Sequence, residues 1–161
     1  MEELPQMKRI IVEADECAGC RVCEMACSFR HEGRFSPSLS RITVIKVDKH
    51  GLDYPLFCRQ CESCPPASTC PTGALSRTAG GTIAVDAEAC IGCGSCVEAC
   101  NYDAIKLDAS SRPLICDLCG GEPECVRRCP TDALRYEESG EFTETMEEAF
   151  TRLKEEWGID A

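Results

Sequence analysis

Sixteen cysteines fall into four groups of four along this chain, and no cysteine lies outside a group. Group one is Cys17, Cys20, Cys23 and Cys27, and group two is Cys58, Cys61, Cys64 and Cys70. Group three is Cys90, Cys93, Cys96 and Cys100, and group four is Cys116, Cys119, Cys125 and Cys129. Thiolate sulfur is a soft ligand that suits zinc, copper(I) and iron–sulfur clusters. The pattern therefore predicts metal chemistry rather than acid–base chemistry.

The spacing within the groups favours iron–sulfur clusters over zinc. Groups one and three share the spacing C-x2-C-x2-C-x3-C, which is the ligand signature of bacterial ferredoxins with two clusters. Structural zinc sites usually take their ligands from two C-x2-4-C pairs, so a third cysteine in the same short loop has no use there. Zinc in a small interaction module is the alternative, and the iron content of the protein would decide between the two.

A disulfide scaffold is a second alternative for a chain so rich in cysteine. The first residues, MEELPQMKRIIVEADEC, have no long apolar segment and do not resemble a signal peptide. Without export, disulfides would be reduced and the thiols would be available as ligands. We therefore expect a cytoplasmic protein, with chemistry typical of anaerobic metabolism.

Composition narrows the possible partners. The formal charge is −11, which would repel nucleic acid phosphates. There is no run of about 18 apolar residues, so no membrane-spanning helix is expected.

Only 6% of the residues are aromatic, which is little for a hydrophobic core. Metal ligation would supply the missing folding energy, and we expect the protein without metal to be largely unfolded.

Short elements must position the cysteines. CPTGAL at 70–75, CNYDAI at 100–105 and CPTDAL at 129–134 repeat after three groups. Each module is predicted to contain a ligand loop, one short helical turn ending at the last cysteine, and a β-prone exit. Proline stops that turn at Pro71 and Pro130, whereas Ser28 and Asn101 stand in its place elsewhere. The predicted strands are Lys8–Val12, Arg41–Asp48, Thr82–Asp86, Ala104–Asp108 and Leu134–Glu137, with a hairpin turn at Gly80-Gly81.

The intervals between the groups predict an α+β fold of two nested ferredoxin-like units with short β-hairpins. Cys70 and Cys90 are 20 positions apart, which fits one hairpin, whereas Cys27 and Cys116 are 89 apart. The inserted unit would span residues 56–109, and the outer, discontinuous unit would combine 1–55 with 110–140. Residues 141–161 would form a C-terminal amphipathic helix.

The C-terminal helix has clear sequence signals. Thr145 and Glu148 match a capping box. Apolar residues then recur at helical spacing, namely Met146, Ala149, Phe150, Leu153 and Trp157. Glu148 and Arg152 are spaced to form an ion pair on the helix. The helix would pack on its own domain or dock onto a catalytic subunit.

Other chemistry-bearing residues are few. His31 follows group one and His50 lies in an expected turn, and each is predicted to be a surface or hydrogen-bonded histidine. A position of His31 near a cluster is the alternative. There is no visible Ser/His/Asp arrangement or G-x-G-x-x-G loop, so we expect neither catalysis nor nucleotide binding by this chain.

Residues 8–138 resemble a known family. It comprises the multi-cluster iron–sulfur electron-transfer subunits of molybdenum and tungsten oxidoreductases, formate dehydrogenases, hydrogenases and carbon monoxide dehydrogenases. The segments CRVCEMACSFRHEGRFSPSLSRI and CDLCGGEPECVRRCPTDAL look most similar to small subunits that accompany tungsten aldehyde oxidoreductases. The resemblance implies four [4Fe-4S] clusters.

The resemblance also implies that paired modules exchange their fourth cysteine. The outer unit would then use two sets, Cys17, Cys20, Cys23 with Cys129, and Cys116, Cys119, Cys125 with Cys27. The inserted unit would use Cys58, Cys61, Cys64 with Cys100, and Cys90, Cys93, Cys96 with Cys70. Family members usually carry the third cysteine of group two where this chain has Pro66. Cys64 is the remaining thiol of that group and is assigned as the ligand.

The function implied is one-electron transfer to or from a large catalytic subunit, most similar to a tungsten or molybdenum aldehyde oxidoreductase. A flavin subunit or a ferredoxin would be a further partner. The alternatives are a free soluble polyferredoxin, or a subunit of a hydrogenase, formate dehydrogenase or carbon monoxide dehydrogenase. Exposed clusters at both ends of the row would also permit self-association.

Overall fold

The computed structural model describes residues 7–159, which form short helices and strands joined by long cysteine-bearing loops. The strands are β1 Lys8–Val12, β2 Ile42–Val47, β3 Leu52–Phe57, β4 Leu75–Arg77, β5 Ile83–Val85, β6 Lys106–Leu107, β7 Pro113–Leu114 and β8 Leu134–Glu138. The helices are α1 Val22–Glu32, α2 Pro65–Thr69, α3 Ser95–Ala99, α4 Glu124–Arg128 and α5 Met146–Trp157. Single 3-10 turns lie at Ala14–Glu16, Pro37–Leu39 and Leu118–Gly121. The class is α+β.

The strands form four separate antiparallel pairs. Three are hairpins between neighbours in sequence, β2 with β3, β4 with β5, and β6 with β7. The fourth pairs β1 with β8, so that Lys8 lies opposite Glu138 and Val12 opposite Leu134. The two ends of the cysteine-bearing part of the chain are thereby brought side by side.

All five predicted strands are present, and the turn at Gly80-Gly81 connects β4 to β5 as expected. The segment predicted at 104–108 is shorter, since only Lys106–Leu107 pairs. Three strands were not predicted, β3, β4 and β7. Two of them contain proline, Pro55 in β3 and Pro113 in β7, and proline within an apolar run argues against a strand in sequence analysis.

The short helices end where the cysteine pattern predicts, with one exception. Cys70, Cys100 and Cys129 directly follow α2, α3 and α4. The prediction of a single turn was wrong for α1, which continues past Cys27 to Glu32. Ser28 stands there instead of proline, so the helical backbone hydrogen bonds are not interrupted. The helix ends at Gly33, which has a φ of 67° and donates its N–H to the Phe29 carbonyl at 2.9 Å.

Buried side chains form two cores. The larger joins β1, β2, β3, β8 and α5, and includes Ile10, Val44, Tyr54, Leu134 and Leu153. The smaller joins β4, β5 and the segments around groups two and three, and includes Leu75, Ile83, Ile105 and Ile115. Helix α1 packs against α4, and α2 packs against α3. Cysteines lie within both cores, so a metal group bound by these thiols would pack against the buried side chains.

The C-terminal helix packs on its own domain, as one of the two alternatives predicted. Thr145 and Glu148 form the expected capping box, with bonds of 3.2 and 2.7 Å. Ala149 and Leu153 are fully buried, and the Phe150 ring meets the Tyr54 ring edge-on at 6.0 Å. The predicted partner of Arg152 was wrong. Because Glu148 caps the helix, Arg152 pairs instead with Glu144 at 3.0 Å and with Glu156 at 3.5 Å.

Within residues 7–159, no helix has the length and apolar character needed to cross a membrane.

Candidate metal centres

Cysteines of groups two and three face one cavity. Its lining includes Cys58, Cys61, Cys64 and Cys100, together with Ile83, Ile105 and Ile115. Cys64 is the N-cap residue of α2, directly before Pro65. From this position it lines the same cavity as the other three thiols. Burial raises the pKa of the Cys58 thiol to about 12, and the charges of Cys61, Cys100 and Cys64 also raise it. Metal must therefore displace protons from this site when it binds.

A second cavity collects the remaining thiols of these groups, Cys70, Cys90, Cys93 and Cys96. The loop can turn tightly there because Gly92 and Gly94 adopt φ values of 69° and 78°. Ser95 lowers the pKa of the Cys93 thiol by hydrogen bonding, whereas the charge of Cys70 raises it. Cys93 is exposed, so this site reaches the surface.

A third cavity brings Cys27 of group one to three thiols of group four, Cys116, Cys119 and Cys125. Its walls include the apolar side chains of Ile10, Ile42, Phe57 and Leu118, and His31 and Arg41 also line it. Burial raises the pKa of the Cys125 thiol, and the charges of Cys27, Cys119 and Cys23 raise it further. The Arg41 backbone N–H donates to Cys27 Sγ at 3.2 Å, a bond that stabilises a thiolate.

The remaining thiols, Cys17, Cys20, Cys23 and Cys129, also lie near one another. Burial raises the pKa of Cys17, and Cys129 and Cys20 are among the charges that raise it as well. Gly19 adopts a φ of 62°, and a side chain there would overlap the Lys46–Asp53 ion pair, which is 2.8 Å long. Cys20 is exposed, so this site also reaches the surface.

Two sites on different parts of the chain are close to each other. Burial raises the pKa of Cys116, and so do the charges of Cys125, Cys58 and Cys27. Gln60, only 1% exposed, links the same two loops. Its Nε2 donates to the Cys116 carbonyl at 2.6 Å, and its Oε1 accepts from the Ile83 N–H at 2.7 Å.

His31 is a hydrogen-bonded histidine, as predicted, and it also lies beside a cysteine site. Its Nδ1 is 2.9 Å from the Cys27 carbonyl, and its Nε2 is 2.9 Å from Asp117 Oδ1. The contact with His31 lowers the pKa of Asp117 to about 2, and Asp117 raises the pKa of His31 to about 10. Asp117 also accepts from the Cys119 N–H at 2.9 Å. The pair thus ties α1 to the group-four loop.

Three residues of the site region were missed by sequence reasoning, namely Arg59, Gln60 and Asp117. Arg59 and Gln60 lie between Cys58 and Cys61, where the cysteine spacing fixes position but not the nature of the intervening side chains. Gln60 bonds to Cys116 and Ile83, and Arg59 contacts Phe142 and Glu144, and these partners are too distant in sequence to leave a local pattern. Asp117 follows Cys116 in the same way.

The donor set fits iron–sulfur clusters. All sixteen cysteines are free thiols, so no disulfide competes for them. The four sets offer sulfur ligands, and Cys23, Cys27, Cys96 and Cys125 are buried within the cores. Soft sulfur donors of this kind suit iron–sulfur chemistry.

Two family profiles match the chain. A 4Fe-4S dicluster domain matches residues 51–139, and a 4Fe-4S binding domain matches residues 14–30. Together they include cysteines of all four groups.

Similar proteins are iron–sulfur and electron-transport proteins. The polyferredoxin-like subunit of aliphatic sulfonate oxidoreductase from Pyrococcus furiosus is 42% identical over 132 residues, covering 80% of this chain and 75% of that protein. The electron transport protein HydN of Escherichia coli K12 is 39% identical over 153 residues, covering 78% and 85%.

A solved structure has the same fold. A chain of the active site complex BamBC of benzoyl coenzyme A reductase aligns with a TM-score of 0.51 and 31% identity, covering 96% of this chain and 92% of that chain. The chain belongs to the 4Fe-4S dicluster family of iron–sulfur electron-transfer proteins, and its sixteen cysteines match four [4Fe-4S] clusters in number.

Proposed function

We propose that this chain is the electron-transfer subunit of an oxidoreductase complex, and that its catalytic partner is of the tungsten or molybdenum aldehyde oxidoreductase type. The observation that carries the proposal is the arrangement of sixteen thiols in four neighbouring sets, two of which include an exposed cysteine. When bound, the clusters supply one-electron redox chemistry. The chain itself holds them, shields them from water and orders them in space.

The proposed ligand sets exchange their fourth cysteines. They are Cys17, Cys20, Cys23 and Cys129; Cys116, Cys119, Cys125 and Cys27; Cys58, Cys61, Cys64 and Cys100; and Cys90, Cys93, Cys96 and Cys70. Three cavities lined by the second, third and fourth sets support this assignment. The charges of Cys129 and Cys20 near Cys17 support the first.

Two nested ferredoxin-like units follow from these sets as part of the proposal. The pairing of β1 with β8 and the packing of α1 on α4 support an outer unit, and the packing of α2 on α3 supports an inserted one. We propose junctions after Phe57 and after Leu114, rather than at residues 55 and 109. These positions keep β3 and the β6–β7 hairpin whole.

The proposed electron path starts at the set of Cys17 and continues through the sets of Cys116 and Cys58 to the set of Cys90. Cys23 lies close enough to Cys125, and Cys58 close enough to Cys116, for the charge of one thiolate to raise the pKa of the other. The packing of α2 on α3 brings the third and fourth sets together. Exposed Cys20 and exposed Cys93 belong to the first and last sets. Electrons would therefore enter at one of these two sites and leave at the other.

The nature of the partner is inferred from similarity. The relative from Pyrococcus furiosus is named as a subunit of an oxidoreductase, and the similar solved chain comes from an active site complex. The sequence segments around groups one and four look most similar to small subunits of tungsten aldehyde oxidoreductases. A net charge of −11 favours docking onto a basic patch of such a partner.

Affinity purification from the native organism without oxygen tests this function. A stoichiometric complex with a larger protein that contains tungsten or molybdenum is the expected result, with the metal measured by mass spectrometry. Recovery of the chain with a partner that lacks both metals would contradict the proposed partner class but not the electron-transfer role.

A free polyferredoxin is the second candidate. It is favoured by relatives named simply as electron transport proteins, such as HydN. A monomer that reduces several unrelated oxidoreductases at comparable rates would support it over the subunit proposal.

A further inference from the structure

Arg59 is a buried cation at one of the metal centres. It directly follows Cys58, is only 3% exposed, and lines the cavity shared by Cys58, Cys61, Cys64 and Cys100. Among the described residues it forms no ion pair with a carboxylate. A buried charge without a compensating partner is costly, so its surroundings require an explanation.

Four aromatic rings surround the Arg59 guanidinium. Its central carbon lies 4.3 Å from the ring centre of Phe142, 5.3 Å from Phe57, 5.6 Å from Tyr54 and 5.7 Å from Tyr102. Ring faces attract a cation, and the attraction is stronger when water is excluded. This set of rings, the aromatic cage, holds the charge in place without neutralising it.

Hydrogen bonding of Arg59 is incomplete. Nη2 donates to the Tyr54 hydroxyl and to the Glu144 carbonyl, the latter at 3.5 Å. Nε and Nη1 are buried and have no hydrogen-bond partner among residues 7–159. The guanidinium is thus a buried positive charge, and Arg59 lines the cavity of Cys58, Cys61, Cys64 and Cys100.

We propose that Arg59 sets the reduction potential of the cluster held by Cys58, Cys61, Cys64 and Cys100, raising it above the value the site would otherwise have. Reduction adds one negative charge to the cluster, and a fixed nearby cation stabilises the more negative state. The charge is buried, so screening by water and salt is weak. Arg59 does not bind iron, and it affects the cluster only through its charge. This inference rests on the proposed ligand set.

The aromatic cage also links the potential to the C-terminal segment. Phe142 and the Glu144 carbonyl precede α5, and they close the cage over Arg59 from outside the cysteine modules. The position of the guanidinium therefore depends on the packing of α5 against β3.

The test compares Arg59→Met with wild-type protein by redox titration followed by EPR. Met removes the charge while retaining a long side chain. We expect one of the four reduction steps to move to lower potential by about 59 mV. For one electron, this shift lowers the ratio of reduced to oxidised cluster at fixed potential about tenfold. Arg127→Met is the matched control, because its side chain is 63% exposed on a group-four helix. It should leave all four steps in place.

Arg59→Lys separates charge from packing. At low pH, where the amine is charged, the Lys variant should keep a potential close to wild type, whereas an equal shift in the Lys and Met variants at that pH would overturn the proposal. If Arg59→Met loses iron, the Lys variant decides by its pH dependence. Burial favours the neutral amine, so the potential of that cluster should fall as pH rises, while the wild-type step stays constant. Identical pH profiles would overturn the proposal.

The same experiment distinguishes failure of this inference from failure of the proposed function. Wild-type protein that shows four one-electron steps supports the electron-transfer role whatever the variants do. Four unshifted steps in an iron-replete Arg59→Met protein would refute the role of Arg59 alone.

Discussion

Gln60 Nε2 donates a hydrogen bond of 2.6 Å to the carbonyl of Cys116, and this bond joins the loop of group two to the loop of group four. The other end of the same amide accepts from the Ile83 N–H at 2.7 Å. One buried side chain therefore satisfies backbone groups from two cysteine modules and a strand. Because the two cysteine-bearing loops hold neighbouring sites, Gln60 helps to fix the spacing between them.

Replacement of Gln60 by Leu should destabilise the protein. The Cys116 carbonyl and the Ile83 N–H would both lose their partner, and each unsatisfied buried group costs about 1–3 kcal/mol. For a chain of this size, each kcal/mol lowers the thermal midpoint by about 2–4 °C. Anaerobic thermal unfolding of the iron-loaded protein measures the effect. Glu155→Gln is the control, since that residue is exposed on α5. Equal midpoints for Gln60→Leu and wild type would contradict this role.

Cys64→Ala should remove one cluster of the four or convert it to a three-iron form. Cys64 lines the same cavity as Cys58, Cys61 and Cys100. Iron analysis together with EPR reports the loss. Ser63→Ala next to it should change neither quantity. Unchanged iron content and unchanged signals in the Cys64 variant would exclude Cys64 as a ligand.

Complete removal of iron by a chelator should unfold most of the chain. Cys23, Cys27 and Cys125 lie in the larger core and Cys96 in the smaller one, so empty sites would leave gaps inside both. Binding free energy is then folding free energy. Circular dichroism of the iron-free protein measures the change, and a spectrum equal to that of the loaded protein would contradict the expectation.

Truncation after Gly140 should reduce the stability of the clusters as well as any complex formation. It removes Ala149 and Leu153 from the larger core and Phe142 from the aromatic cage. The rate of iron loss at moderate temperature is the measurement. Trp157→Ala is a control on the same helix, because that side chain is 46% exposed. A truncated protein that keeps its clusters at the wild-type rate but fails to bind its partner would show that the helix serves docking alone.

Local features of this fold could be predicted from the sequence. The helical turns before Cys70, Cys100 and Cys129, the strand at Lys8–Val12 and the capping box at Thr145 depend on residues within a few positions of one another. The spacing of the cysteines also identified the type of cofactor, because ligand geometry restricts that spacing directly.

Features that depend on distant residues could not be predicted. The aromatic cage combines the ring of Tyr54 with the ring of Phe142, which lies far along the chain. The Gln60 side chain bonds to a residue 56 positions away. Neither leaves a local pattern. The strand β3 was hidden by Pro55, and the length of α1 was hidden by the assumption that every module ends alike. For the aromatic cage, the Gln60 bond and β3, tertiary packing rather than local propensity determines the outcome, whereas the length of α1 follows from Ser28 in place of proline.

Reductive titration of the anaerobically purified chain distinguishes four iron–sulfur clusters from structural zinc. We expect a brown, zinc-free protein that takes up one electron for each of its four sets of cysteines and shows EPR signals of reduced [4Fe-4S] clusters. A colourless protein that contains zinc and accepts no electrons would contradict it.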